Sequence, residues 1–272
     1  MSSQSKKKSS GVFGVVFNVL AIVLAFVVSY FIWKNVMGNP VNFEGGNPEG
    51  HPLPNNYLAI IYKGGIIVPF LITCILVLLT FTIERAITLS RAKGKGRLNV
   101  FVKNIQTMIA ADQIEDSQEA CDKQKGSLAN VVKSGLKRYR ELQDDMTLEN
   151  DQKVVALQKE IEEATALELP MLSKNMIIIS TLASISVLIG LIGTVLGMIR
   201  AFAALAQAGA PDALALATGI SEALINTAFG ITGSTLAIIA YNYFSTSIDS
   251  LTFKIDEAGF SMVQSFSASL KK

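Results

Sequence analysis

Four stretches of the chain run for the length of a membrane crossing with almost no charge. The first is Val12–Trp33 (VFGVVFNVLAIVLAFVVSYFIW). The second is Leu58–Ile83, where GGIIVPFLITCILVLLTFTI follows Lys63 without a charge. The third is Met176–Ile199, and the fourth is Ile220–Phe244, which carries one acid, Glu222. A spanning helix needs about 20 mostly apolar residues. Lipid offers the backbone no hydrogen bonds, so each stretch is predicted to be a helix.

Between the second and third spans the pattern changes. Apolar residues return at helical spacing among charges, which predicts helices over Leu98–Ala111, Gln113–Lys125, Leu128–Gln143 and Thr147–Leu169. GKGR at 94–97 predicts a break before them, and Pro170 an interruption just before the third span. The chain therefore reads as an all-α membrane protein: four transmembrane helices with a helical extension on one side. The expected segments are 1–11, a span at 12–33, a loop at 34–57 and a span at 58–83. A helical block at 84–174 follows, then a span at 175–202, a loop at 203–217, a span at 218–244 and a terminal helix at 245–272.

Lysine and arginine orient these spans. Lys6–Lys8 precede the first span, and the 38–57 loop has none. The 84–174 block holds 15 of the 24 basic residues, the 203–217 connection has none, and Lys254, Lys271 and Lys272 follow the fourth span. Both termini and the charged block are expected in the cytoplasm, and both short loops outside. The first apolar run is 22 residues and ends in bulky Phe31, Ile32 and Trp33. It is longer than a signal-peptide core and lacks a small-residue cleavage site, so an uncleaved helix is expected.

Composition narrows the class. Only 17% of residues are charged against 50% hydrophobic, below the roughly 25% charged of a soluble domain. A soluble globular enzyme is excluded, and a net charge of +2 gives no basic face for nucleic acid. Cys74 and Cys121 are too few for a disulfide framework, and His51 stands alone in a Pro/Gly/Asn-rich loop. No cofactor, no metal site and no nucleophile–base pair is expected.

The last two spans differ from the first two. Residues three, four and seven apart share a helix face. Gly190, Gly193, Thr194, Gly197 and Ala201 form one such stripe; Gly219, Ala223, Asn226, Thr227, Gly230, Ser234, Ala237 and Tyr241 form another. Two readings stay open. Small residues let helices approach closely, and a Thr in a membrane helix often bonds its own helix's carbonyl. Alternatively the hydroxyls of Thr194, Thr227 and Ser234 line a wet path, since hydroxyls both donate and accept. On either reading the stripes are expected to make the chain assemble with copies of itself. Glu222 is an intramembrane acid near its span's outer end, with Arg200 as its expected partner. A proton pathway needs a carboxylate at mid-depth, and these spans hold none. Either the chain is a non-conducting scaffold or a partner supplies the acid.

Specific motifs add a further reading. LIGLIGTVLGMIRAF (188–202) and ISEALINTAFGITGSTLAIIAYNYF (220–244) resemble the two pore-helix signatures of the ExbB/TolQ group of the MotA/TolQ/ExbB proton channel family. FTIERAITLSRA (81–92) resembles that group's acid–arginine pair at the cytoplasmic membrane edge, here Glu84 and Arg85. The resemblance implies a pentameric ring in the bacterial inner membrane. It makes Thr194 and Thr227 pore-lining positions, and Ser234, Asn226, Gly197 and Gly230 are expected to line the path with them. The ring would enclose single helices of an ExbD/TolR-type partner whose aspartate carries the proton, and would drive a TonB- or TolA-type protein. The extra span at 12–33 departs from the usual three-span pattern. ASISVLI at 183–189 lacks the proline that group often carries, and Thr232, Gly233, Ser234 and Thr235 replace its usual alanines and aliphatics.

Overall fold

The computed structural model describes residues 2–48, 50–207 and 213–270. Residues 208–212 of the expected 203–217 loop, and the tail lysines Lys271 and Lys272, lie outside them. Nine α-helices stand among the described residues: α1 (Ser2–Phe31), α2 (Tyr57–Tyr62), α3 (Val68–Lys93), α4 (Leu98–Ala110), α5 (Ile114–Gln124), α6 (Gly126–Asp144), α7 (Asn150–Ser173), α8 (Met176–Gln207) and α9 (Ala213–Ser269). Four helical stretches are long and apolar enough to cross a membrane. The chain divides into two compact units, residues 1–83 with 177–241, and 84–176 with 242–272.

Four expected boundaries are corrected. Residues 203–207 and 213–217 of the expected loop are helical, in α8 and α9. The second span is not one helix over 58–83. It breaks into α2, a 3₁₀ turn at Gly65–Ile67, and α3. Gly65 takes φ +76°, a conformation open to glycine at no steric cost, and Pro69 suits the first turn of α3. Pro170 does not end its helix: α7 runs on to Ser173, and the break comes at Asn175, with φ +61°. The fourth span and the terminal helix are one element, because nothing between Phe244 and Ser269 stops α9.

In the first unit α1 is fastened to α3 by polar groups. Ser29 Oγ donates to Pro69 O (2.8 Å) and lies 2.7 Å from Thr73 Oγ1, whose own hydroxyl reaches Pro69 O (2.6 Å). At one end of this contact Trp33 stacks on Tyr62 (centroids 4.9 Å) and Phe43 meets Tyr62 edge-on (5.5 Å). The 38–57 loop is thereby folded. Asn42 Nδ2 donates to Val36 O (2.8 Å) and Asn56 Nδ2 to Asn42 Oδ1 (3.0 Å), while Asn56 Oδ1 accepts the N–H groups of Leu58 and Ala59 as the cap of α2.

The second unit has a core of its own. Phe101, Val102 and Ile105 of α4 join Leu128, Val132, Leu136 and Tyr139 of α6, Leu157 and Ile161 of α7, and Leu251, Ile255, Met262 and Phe266 of α9. Gly135 admits α9: a methyl there would lie 2.7 Å from Met262 Sδ. Burial, aided by the charge of Asp122, pushes the Cys121 thiol up to about 12, so it stays protonated at neutral pH.

Glu84 and Arg85 build a latch in this unit. Arg85 is fully buried, its Nε donating to Glu84 Oε2 (2.6 Å). Its Nη1 reaches the carbonyls of Leu172 (3.2 Å) and Met171 (3.4 Å), which end α7 without helical partners. Glu84 also accepts from Thr88 Oγ1 (3.2 Å) and Asn175 Nδ2 (3.3 Å). The pair expected at the membrane edge thus closes the α7–α8 junction.

Candidate functional site

The small-residue stripes of α8 and α9 close on each other within one chain. A methyl on Gly190 would lie 2.9 Å from Asn226 O and 3.1 Å from Gly230 Cα; one on Gly230 would lie 2.8 Å from Ser186 O. One on Gly197 would lie 2.8 Å from Ala223 N and from Gly219 O. The two backbones touch, as small residues allow. The glycines of the two stripes are thus covered within one chain, and their packing requires no neighbouring copy.

Three of the expected pore-lining residues, Asn226, Gly197 and Gly230, lie inside this contact, and a fourth, Ser234, is buried as well. Asn226 is fully buried, and Ser234, Gly197 and Gly230 are also buried. Asn226 Nδ2 donates to Gly64 O (2.9 Å), and its Cβ and Cγ occupy the space that a side chain on Gly193 would need. Asn226 and the glycines fix the spacing of α8 and α9 within the chain.

Thr194 and Thr227 sit differently. Both are half-buried at the rim of the contact, and their hydroxyl oxygens meet. Beside them lie exposed Leu191 and Val195 of α8 and exposed Leu224 and Ile231 of α9. Thr194 Oγ1 is 3.1 Å from Gly190 O and 3.4 Å from Ala223 O; Thr227 Oγ1 is 3.1 Å from Ala223 O. Two hydroxyl protons therefore serve three contacts to carbonyls and one to each other. A proton must lie between the two oxygens, so one hydroxyl gives up its own helix's carbonyl. Either Thr194 donates to Thr227 and Thr227 to Ala223 O, or Thr227 donates to Thr194 and Thr194 to Gly190 O. The pair has two orientations of similar geometry and keeps acceptor lone pairs on an open face.

The expected acid pair is present on the same two helices, toward the end of α8 and the start of α9. Arg200 Nη1 lies 2.6 Å and 2.8 Å from the two carboxylate oxygens of Glu222. The Glu222 side chain is 6% exposed and that of Arg200 54%, so the guanidinium bridges a buried acid to the surface. Gly65 lies directly against this pair, where any side chain would overlap Glu222. An ion pair here meets the cost of an acid in a span without calling on a mid-depth group. The contacts of Gly64 and Gly65 were not foreseen: two glycines in an apolar run carry no sign of what approaches them.

Residues 123–257, which hold both threonines and the ion pair, match the model of the MotA/TolQ/ExbB proton channel family. The chain belongs to that family. Relatives bear both names of its ExbB/TolQ branch. The Tol-Pal system protein TolQ of Pseudomonas aeruginosa is 31% identical over 115 residues, 42% of this chain and 50% of that protein. The putative biopolymer transport protein ExbB-like 3 of Synechocystis is 36% identical over 86 residues, 31% of this chain and 41% of that protein. The biopolymer transport protein ExbB of Salmonella typhimurium is 38% identical over 72 residues, 26% and 30% of the two chains. The chain thus aligns with half or less of the length of these relatives. The MotA/TolQ/ExbB match stops short of Glu84 and Arg85 and of the whole of α1–α4. The latch and the clasp between α1 and α3 are accounts of this chain alone. With four apolar helices of spanning length, this family member is a multi-pass membrane protein.

Proposed function

We propose that this chain is the ring-forming subunit of a proton-driven motor in the bacterial inner membrane. Its ring, pentameric in this reading, surrounds helices of an ExbD/TolR-type protein with one span. The face carrying Thr194 and Thr227 turns toward that partner, whose aspartate carries the proton. The motion drives a TonB- or TolA-type protein that reaches across the periplasm. Both termini and residues 84–174 face the cytoplasm.

The observation that carries the reading is the hydroxyl pair. Its two protons are shared among more acceptors than they can serve, on a face left open between two packed helices. A protonated carboxyl arriving there finds lone pairs to donate to. A carboxylate finds a proton that swings off Ala223 O or Gly190 O. The same two threonines thus accommodate both protonation states of a partner acid without a charge of their own, which is what a reversible proton carrier requires.

A second reading, a membrane scaffold that conducts nothing, is favoured by one feature: each hydroxyl also lies 3.1 Å from the carbonyl one turn back on or beside its own helix. Native mass spectrometry of the detergent-extracted protein, co-expressed with the product of a neighbouring one-span reading frame, separates the two. The motor reading expects a pentamer that retains the one-span protein. A monomer at all concentrations, or a ring that never retains it, contradicts that reading.

A further inference from the structure

A second chemistry stands apart from the threonine face, in the unit of residues 84–176 and 242–272. Arg91, Lys93, Lys95 and Arg97 follow one another through the end of α3 and the turn before α4. The α5–α6 turn is fastened onto this segment. Lys95 N–H donates to Gln124 O (2.7 Å), and Gln124 Nε2 donates to Lys93 O (3.2 Å). The contact is close enough that a methyl on Gly126 would lie 2.7 Å from Gly94 N, and Gly94, Lys125 and Gly126 all take positive φ. The clip brings Lys123 and Lys125, distant in sequence, to the same place.

Opposite charge does not neutralise the group. Lys123 pairs with Glu119 (2.7 Å), but among the described residues Arg91, Lys93, Lys95, Arg97 and Lys125 join no ion pair. Elsewhere in the unit Lys133, Lys137, Arg138, Arg140, Lys159 and Lys254 each meet an acid, while Lys103 and Lys174 stand singly rather than in a cluster. Beside the cations is a hollow of about 450 Å³, with Lys95, Arg97 and Lys123 at its rim and Val100, Phe101 and Ala120 on its floor. Val100 is 52% exposed.

The sequence of α3 places this group at a lipid boundary. Exposed Leu79, Ile83 and Ile87 recur every four residues along one face, and the next position in that series is Arg91. The exposed apolar stripe of α3 ends where the free cations begin.

We propose that Arg91, Lys93, Lys95, Arg97 and Lys125 form a binding site for the phosphate headgroup of an anionic phospholipid, with the hollow at Val100 and Phe101 taking the apolar glycerol end. Clustered cations beside a span attract anionic lipid, and the attraction is weakened by salt. The apolar floor favours a lipid over a free phosphate. The site is independent of the proposed channel and stands or falls without it.

The test is native mass spectrometry of the full-length protein in mixed micelles holding equal phosphatidylglycerol and phosphatidylcholine, repeated with millimolar inorganic phosphate and with added salt. The wild type is expected to retain phosphatidylglycerol selectively, less so at high salt. Lys95→Gln/Arg97→Gln/Lys125→Gln should lose that selectivity by about tenfold or more. Lys137→Gln/Arg138→Gln/Lys159→Gln removes as many charges from a patch where acids already balance them, and should retain it. If the first triple variant does not fold, Lys95→Gln/Arg97→Gln alone carries the comparison, since both side chains are exposed in the turn. Unchanged selectivity in the site variant, equal loss in both variants, or displacement of the lipid by inorganic phosphate would each overturn the proposal.

Discussion

Thr194→Val and Thr227→Val are each expected to abolish energised function while expression and assembly stay normal. Valine keeps the branched shape, and hydrogen bonds in membrane proteins average only about 0.6 kcal/mol, so packing survives. What is lost is the sharing of protons. With one hydroxyl gone, the other settles on a backbone carbonyl: Gly190 O for Thr194, Ala223 O for Thr227. A partner carboxylate then loses a hydrogen bond to its charged form, its pKa rises, and it releases its proton poorly. A rise of one unit alone corresponds to about 1.4 kcal/mol, or tenfold in the charged fraction. Thr181→Val is the control, because that hydroxyl is exposed and bonds Ile177 O within its own helix (2.7 Å). Growth or uptake that depends on the energised outer membrane, read beside membrane expression, checks this. Equal activity of all three variants would return the threonines to packing.

Gly190→Val and Gly230→Val should instead fail at the level of the fold. The atoms that a side chain would strike are backbone: Asn226 O and Gly230 Cα for Gly190, Ser186 O and Gly190 Cα for Gly230. Backbone atoms cannot rotate away, so the helices must part and the Thr194–Thr227 contact opens with them. Overpacking of this kind costs about 3 kcal/mol or more, equivalent to roughly 6–12 °C in unfolding temperature. Thermal unfolding of the detergent-extracted variants, followed by size exclusion, measures it. Full stability in either variant would mean that α8 and α9 do not meet along their glycine stripes.

These two predictions also mark what the sequence could convey. Apolar runs find all four spanning stretches but not where their helices start and stop, and helical spacing places the 98–173 helices within a few residues, because those patterns are local. The glycines of α8 and α9 declare a close face but not its partner. Periodicity alone is equally consistent with a neighbouring copy and with the next helix of the same chain, and the structure chooses the latter. Asn226 illustrates the same gap: it shares a stripe with Thr227, yet an offset of one residue, about 100° around the helix, buries it against Gly64 and leaves Thr227 on the rim. Glu222 and Arg200 were legible as a pair because an intramembrane acid has few possible partners. The latch of Arg85 on the end of α7 was not, since orphan helix carbonyls leave no mark in the sequence. Pro170 misled, because a proline close to a helix end need not terminate it.

The central claim is a division of labour: this chain supplies hydroxyls, and a partner supplies the titrating acid. Proton flux into liposomes tests it most directly, comparing the purified protein alone with the same protein carrying its one-span partner. The account predicts no flux above empty vesicles for the chain alone, and flux with the partner that disappears when the partner's membrane aspartate becomes asparagine. Flux from the chain alone that persists in Thr194→Val/Thr227→Val would contradict it.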